Sequence, residues 1–256
     1  MLRLLQYPYL LNLFMFYFSI VTNMDMSMIE NEIGPFLSRD ARPDIRRITV
    51  KYFLGLTGSE EGCSLIASSC KYLSLIADLI DDEEKDIAKD SSLALINLAT
   101  SVTTSAKLLE LPSCNQFLSC LIGRIVSTDM DTVDLSCKLL SNLSRTESGA
   151  QRIADYLLHV ESSQGLRLSE LIELVTTNEV KLSYFAPVLL NLTQIGQVRE
   201  MILNREQYVI QRLLPYVQFP VLKTRFSVVG VLKNCCFQIG KPKFCTCGSA
   251  TLGTSS

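Results

Sequence analysis

One short pattern recurs along this chain and limits what it can fold into. Ala94-Leu95-Ile96-Asn97-Leu98-Ala99, Lys138-Leu139-Leu140-Ser141-Asn142-Leu143-Ser144 and Leu189-Leu190-Asn191-Leu192-Thr193 are three copies. Val231-Leu232-Lys233-Asn234-Cys235-Cys236 is a degenerate fourth, and Phe53-Leu54-Gly55-Leu56-Thr57 is a fifth with Gly in place of Asn. From Gly55 the steps to Asn97, Asn142, Asn191 and Asn234 are 42, 45, 49 and 43 residues. Steps of this length mark two- or three-helix units that cannot bury their apolar faces alone and must stack on one another. The expected fold is all-α, an armadillo/HEAT-like α-solenoid of about five repeats.

The residues between the copies fit that expectation. Ile45, Ile48, Tyr52 and Leu56 recur at helical steps, and Gly58 follows as a stop. A short helix is predicted over 28–38, and long helices carrying the pattern over 84–100, 129–145, 180–195 and 221–238, with pairs of shorter helices between them, the last of these over 208–218. The acidic run Asp81-Asp82-Glu83-Glu84 suits a helix entry, where carboxylates are favourable. Pro187 is predicted to kink or split its helix. No stretch alternates with period two for long enough to be a strand. Residues 28–239 are expected to form the array, 1–27 an apolar extension outside it, and the Gly/Ser/Thr-rich 240–256 a disordered tail. A solenoid needs a polar capping unit at each end. None is visible before the tail, so the array is expected to be cut short there, with apolar surface exposed.

The first 22 residues admit several readings. Arg3 precedes an apolar run from Leu10 to Val21, which resembles a signal sequence but is short for a membrane span. It is an upstream extension, a signal anchor or a helix of the fold. The anchor reading makes the chain a membrane-tethered or secretory helical repeat protein. The formal net charge of −2 gives no electrostatic case for binding nucleic acid or an anionic membrane. Nine cysteines, odd in number and irregular in spacing, do not form the dense framework of a secreted domain. They read as reduced, mostly buried small hydrophobes of a cytosolic or nuclear protein.

Catalytic and metal signals are weak. His159 is the only histidine, so no histidine metal site can form from it alone. Ser68-x-x-Lys71 matches a nucleophile pattern but lacks its companion elements. Cys235, Cys236, Cys245 and Cys247 could supply four thiolates, though not at the usual C-x₂₋₄-C spacing. No cofactor is implied, and the chain does not read as an enzyme. Asn142-Leu143-Ser144 and Asn191-Leu192-Thr193 match the glycosylation sequon, yet both fall inside predicted helices and are better explained as repeat consensus.

The recurring Asn is the most informative polar residue. Its amide carries a donor and an acceptor. A column of such amides on the concave face could bond the backbone of an extended partner. Equally, each could bond the neighbouring repeat and fix the stack. One turn upstream stand Lys51, Leu93, Lys138, Pro187 and Gly230. Armadillo proteins that read nuclear-import peptides carry Trp there; this chain has no Trp, which disfavours that mode. The candidate partner-binding residues are Lys51, Asn97, Lys138, Asn142, Tyr184, Asn191 and Asn234. Arg47, Lys89, Asp90 and Asp134 lie on the same face, so the groove is expected to be mixed in charge.

Three segments carry a more specific resemblance. Tyr184-Phe185-Ala186-Pro187-Val188-Leu189-Leu190-Asn191-Leu192-Thr193, then Arg212-Leu213-Leu214-Pro215, then Asn234-Cys235-Cys236-Phe237 resemble the Hgh family of eukaryotic armadillo-like proteins. Residues 50–58 and 94–99 are similar to its N-terminal repeats, and the resemblance spans about 28–238. The resemblance implies a cytosolic, non-catalytic chaperone adaptor. Its client would be translation elongation factor 2, bridged to the ring-shaped chaperonin and the Hsp90 system. The chain departs from the family in its apolar leader and in 240–256, where family members continue into a further helical region.

Overall fold

The computed structural model describes residues 33–160 and 165–237. The expected extension at 1–27 and tail at 240–256 lie outside these residues. A 3₁₀ turn at Gly34–Leu37 leads into α1 (Pro43–Leu56). Three-helix units follow: α2 (Glu60–Ala67), α3 (Cys70–Asp78) and α4 (Lys85–Leu98); α5 (Val102–Leu109), α6 (Cys114–Ile125) and α7 (Met130–Leu143); α8 (Glu147–His159), α9 (Leu168–Thr176) and α10 (Glu179–Leu192); α11 (Gly196–Leu203), α12 (Val209–Leu213) and α13 (Leu222–Cys236). The long helices α1, α4, α7, α10 and α13 pack each against the next in one row. The five pattern copies lie on these five helices, and the described residues contain no strand. The all-α array is as expected.

The pattern recurs because of how it faces the row. The Leu two before Asn97, Asn142 and Asn191 (Leu95, Leu140, Leu189) and the Leu one after (Leu98, Leu143, Leu192) are all at most 1% exposed. Each contributes about 1.5–3 kcal/mol of burial. The Asn between them leaves the same helix at an angle that reaches the preceding long helix.

Short polar signals punctuate the units. Ser59 and Thr146 cap α2 and α8 by accepting from the backbone N–H of Gly62 and Gly149, at 3.0 and 3.2 Å. Both glycines sit where the first helix of a unit crosses the end of the preceding long helix. A Cβ on either would lie 2.1 Å from a backbone carbonyl oxygen, that of Leu56 or Leu143. Asp129 and Asn178 cap α7 and α10.

Side chains from one unit also close helix ends of the unit before. Arg124 donates to Ile80 O at 2.9 Å, Lys181 to Ile125 O at 2.9 Å and Val126 O at 3.0 Å, and Tyr216 to Thr176 O at 3.1 Å. In each case a second helix ends on a donor from the next unit. The two cations also answer the negative pole of that helix. Asp82, read in sequence as a helix-entry acid, holds Arg46: the Nε–Oδ2 distance is 2.8 Å, with side chains 9% and 2% exposed.

Three local expectations are corrected. The helix expected over 28–38 is, in its described part, only the 3₁₀ turn at Gly34–Leu37. The helix expected over 208–218 is α12 followed by a 3₁₀ turn, Leu214–Gln218, because Pro215 has no N–H to continue it. Pro187 does not split its helix: α10 runs unbroken from Glu179 to Leu192.

Candidate partner-binding face

The four asparagines share one arrangement. Each is half-buried, and each points its Nδ2 at the preceding unit. Asn97 donates to Thr57 Oγ1 at 2.9 Å, Asn142 to Ile96 O at 3.1 Å, Asn191 to Ser141 O at 3.0 Å and Ser144 Oγ at 3.2 Å, and Asn234 to Thr193 Oγ1 at 2.8 Å. The stacking role weighed from sequence is therefore met by the nitrogen end of every amide. The Oδ1 end accepts no hydrogen bond from the described residues, leaving four acceptors in a row along the long-helix face. Gly55 occupies the column's first place on α1. A Cβ there meets nothing within 4 Å, and the described residues place no long helix before α1 for an amide to bond.

Sequence reasoning missed the receiving hydroxyls. Thr57, Ser144 and Thr193 stand two residues after the column position and are at most 5% exposed. Each donates back to a carbonyl of its own helix end: Leu54 O at 2.7 Å, Leu140 O at 2.7 Å and Leu190 O at 2.6 Å. Each accepts from the next unit's Asn. The unit ending in α4 carries Ala99 in this place, and Asn142 turns to the Ile96 carbonyl instead. The Asn-x-Ser/Thr spacing that resembles a glycosylation signal thus has a packing cause. Arg145 and Gln194, one residue further on, add bonds across the same junctions, to Thr100 O at 2.6 Å and Ser144 O at 3.4 Å.

The other candidate residues divide. Lys51 is exposed on α1, and its charge acts on Asp90 of α4. Burial raises the Asp90 carboxyl above its ordinary range, and Lys51 opposes that shift. Lys138 is exposed and pairs along its own helix with Asp134 at 2.6 Å. Arg47 pairs with Glu84. Tyr184 is half-buried against the core of α10. The face is mixed in charge. One turn before the column, Gly230 lets α13 close on α10: a Cβ there would lie 2.7 Å from Leu190 Cδ1.

Among the described residues no group of three or more His, Cys, Asp or Glu side chains could hold a metal; Cys245 and Cys247 lie outside them. Ser68 Oγ is engaged with Leu65 O at 2.7 Å at the end of α2. Burial holds the thiols of Cys120 and Cys235 up at about 11 and that of Cys137 at about 12, which keeps them unreactive. Among the described residues no single helix is long and apolar enough to cross a membrane.

Comparison with known proteins gives the chain its relatives. Residues 124–244 match a family described as a domain of unknown function, DUF383. The protein HGH1 homolog of Danio rerio is 36% identical over 207 residues, covering 79% of this chain and 53% of the relative. The Xenopus laevis homolog is 33% identical, covering 84% of this chain and 59% of its own, and the human one 32%, covering 80% and 52%. The chain thus spans somewhat over half the length of these relatives. Among solved structures, a designed armadillo repeat protein in complex with the peptide (KR)4 superposes with a TM-score of 0.62 at 14% identity, covering 82% of this chain and 85% of that one. An engineered protein superposes at 0.64, also at 14% identity, covering 80% of this chain and 47% of its own. Both are likenesses of fold. Across about four-fifths of its length the chain is similar to the HGH1 homologs.

Proposed function

We propose that this chain is a non-enzymatic interaction scaffold whose long-helix face holds a protein client. The observation that carries the proposal is the row of four amide oxygens, on Asn97, Asn142, Asn191 and Asn234, whose nitrogens are committed to stacking. An extended backbone segment offers N–H donors at a repeating interval and suits such a row. Lys51, Lys138 and Tyr184 flank it and add charge and an aromatic surface. The resemblance to the Hgh family names the client as translation elongation factor 2. In that reading the chain is a cytosolic adaptor, and the chaperonin and Hsp90 are its further partners.

The test uses purified translation elongation factor 2 and separates binding from stacking. Tyr184→Ala with Lys138→Glu removes side chains that make no bond to a neighbouring unit. The expected result is at least a fivefold weaker interaction by biolayer interferometry, with the helical circular dichroism spectrum retained and a melting temperature lowered by no more than the loss of half-buried Tyr184 accounts for. Equal affinity of the double variant and the parent refutes the long-helix face as the client site.

A further inference from the structure

The last carbonyls of a helix have no partner within it and need donors from elsewhere. At the end of α4, Arg145 Nη2 donates to Ala99 O at 3.3 Å and Thr100 O at 2.6 Å, and Ser105 Oγ donates to Ala99 O at 2.9 Å. At the end of α10, Arg199 Nη1 donates to Thr193 O at 2.7 Å and Gln194 O at 2.8 Å. At the end of α7, Gln194 Nε2 reaches Ser144 O at 3.4 Å. The matching pair at the end of α1 is Thr57 O and Gly58 O. Among the described residues Thr57 O accepts only from Cys63 Sγ, at 3.4 Å, and Gly58 O accepts from nothing. The sequence explains the difference. Thr100 stands at the register of Arg145 and Gln194, and its short side chain turns back to Asn97 O at 2.6 Å. Cys63 stands at the register of Ser105 and Arg199, and a thiol is a weak donor.

Thr57 and Gly58 line a groove of about 850 Å³ between α2 and α5, together with Glu60, Ser64, Thr103 and Lys107. We propose that this groove takes an arginine side chain of a partner protein, whose guanidinium bonds Thr57 O and Gly58 O as Arg145 and Arg199 bond the matching carbonyls. A planar guanidinium presents several N–H donors in a fixed fork and can span two oxygens, whereas an ammonium is a point donor. Burial, and after it the Glu60 carboxylate, raises the Cys63 thiol. The acid therefore lies near the sulfur that meets Thr57 O, and it supplies the opposite charge. Lys107 is the one cation in the lining, and it is committed at the far end of α2, to Ala67 O at 2.7 Å. Helix α2 sets about 10 Å between Glu60 and Ala67. The hydroxyls of Ser64 and Thr103 on the two walls can bond the partner's backbone on either side of its arginine. The groove meets the amide row only at Asn97, and the inference does not rest on that row holding a client.

The test is an NMR titration of the full chain with three acetylated, amidated pentapeptides, in which glycine and serine flank a central arginine, citrulline or lysine. The arginine peptide is expected to shift the Gly58, Ser59 and Thr100 amides saturably. Citrulline keeps the shape and loses the charge, and its peptide is expected to bind about tenfold weaker. The lysine peptide, which cannot span both carbonyls, is expected to bind about fivefold weaker. Thr100→Arg places an arginine at the register of Arg145 and is expected to raise the melting temperature and abolish the titration. Glu60→Gln, at an exposed position, is expected to keep the helical circular dichroism spectrum and to weaken the arginine peptide about fivefold. It keeps the test decisive should Thr100→Arg not fold. The proposal is overturned if the arginine peptide gives no saturable shift at Gly58 and Thr100, if citrulline serves as well as arginine, or if Glu60→Gln or a folded Thr100→Arg binds like the parent. Residues 1–32 hold one cation, Arg3. If the arginine peptide binds only after Arg3→Ala, the chain's own arginine holds the groove, and the proposal of a partner is overturned too.

Discussion

Replacing Asn191 by Ala tests whether the Asn column holds the stack together. Asn191 Nδ2 makes two bonds to the preceding unit, to Ser141 O at 3.0 Å and to Ser144 Oγ at 3.2 Å. At about 1 kcal/mol net per bond, their loss costs about 2 kcal/mol. Ala is the better helix former by about half a kcal/mol, which offsets part of this. The expected destabilisation is therefore about 1.5 kcal/mol. Ser144→Ala removes the hydroxyl at 0% exposure that receives one of those bonds and itself donates to Leu140 O. It is expected to cost about 1 kcal/mol.

Because the two substitutions share a bond, the double variant should cost less than their sum by about 0.5–1 kcal/mol. Urea unfolding followed by circular dichroism gives all four corners of the cycle, with m values checked for constancy. Additivity to within about 0.3 kcal/mol would refute the bond across the α7–α10 junction as a source of stability. The cycle also disciplines the functional proposal. Ser144 is fully buried and no client can reach it. If Ser144→Ala lowers client affinity as much as Asn191→Ala does, the column acts on the client only by keeping the array in shape.

Three further outcomes follow from the geometry. Asp82→Ala strands the buried Arg46 guanidinium and is expected to cost about 3–5 kcal/mol by denaturant unfolding, whereas Arg46→Met with Asp82→Leu should be close to neutral; a single-variant cost under about 1 kcal/mol contradicts the buried pair. The glycines should separate by surroundings: Gly55→Ala, with nothing within 4 Å, is expected to raise stability by about 0.5–1 kcal/mol through helix propensity, while Gly62→Ala and Gly149→Ala, 2.1 Å from a carbonyl oxygen, should lower the melting temperature. The buried thiols predict alkaline sensitivity. Unfolded thiols ionise near 9.0 and the folded Cys120, Cys137 and Cys235 near 11, 12 and 11, so the unfolded chain sheds protons that the folded chain keeps. Their contribution is intact below pH 9 and is lost as pH rises towards 11–12, an effect that Cys137→Ser should reduce in pH-dependent unfolding. Iodoacetamide at pH 8 should label the exposed Cys70 and Cys236 well before the buried three.

The array was legible because its signal is apolar and periodic. Leu95 and Leu98, Leu140 and Leu143, and Leu189 and Leu192 bracket the Asn at one register, and burial on a stacked row imposes that register on any sequence that folds this way. The hydroxyl partners were not legible. Thr57, Ser144 and Thr193 act on an Asn 40 to 47 residues later, and no local pattern announces a bond between units. For the same reason Asp82 read as a helix-entry acid, since Arg46 lies 36 residues upstream. Gly62 and Gly149 each stand three residues after a capping hydroxyl, a spacing that repeats and was readable. At Pro187 the split does not occur: one lost backbone hydrogen bond is set against the burial of Phe185, Ala186, Val188 and Leu189 around it, all fully buried.

The amide's two ends tie the proposed binding to the observed stacking. In a low-dielectric junction, hydrogen bonds in series polarise one another. A client N–H accepted at Asn191 Oδ1 would draw charge through the amide and strengthen the Nδ2 bonds to Ser141 O and Ser144 Oγ. Those bonds continue through Ser144 into the carbonyl of Leu140. The same holds at Asn234, through Thr193 to Leu190 O. Asn142 is the exception: Ala99 breaks the hydroxyl relay, and its amide ends on a backbone carbonyl. Client binding over the α7–α10 and α10–α13 junctions should therefore tighten the stack more than binding over α4–α7. Amide hydrogen exchange with and without client can resolve the difference, because each junction's protection rises by the coupling free energy at that junction. Introducing a hydroxyl by Ala99→Ser should then bring the α4–α7 junction up to the protection of the other two. If all three junctions gain protection equally in the unmodified chain, the relay through Thr and Ser has no part in holding a client.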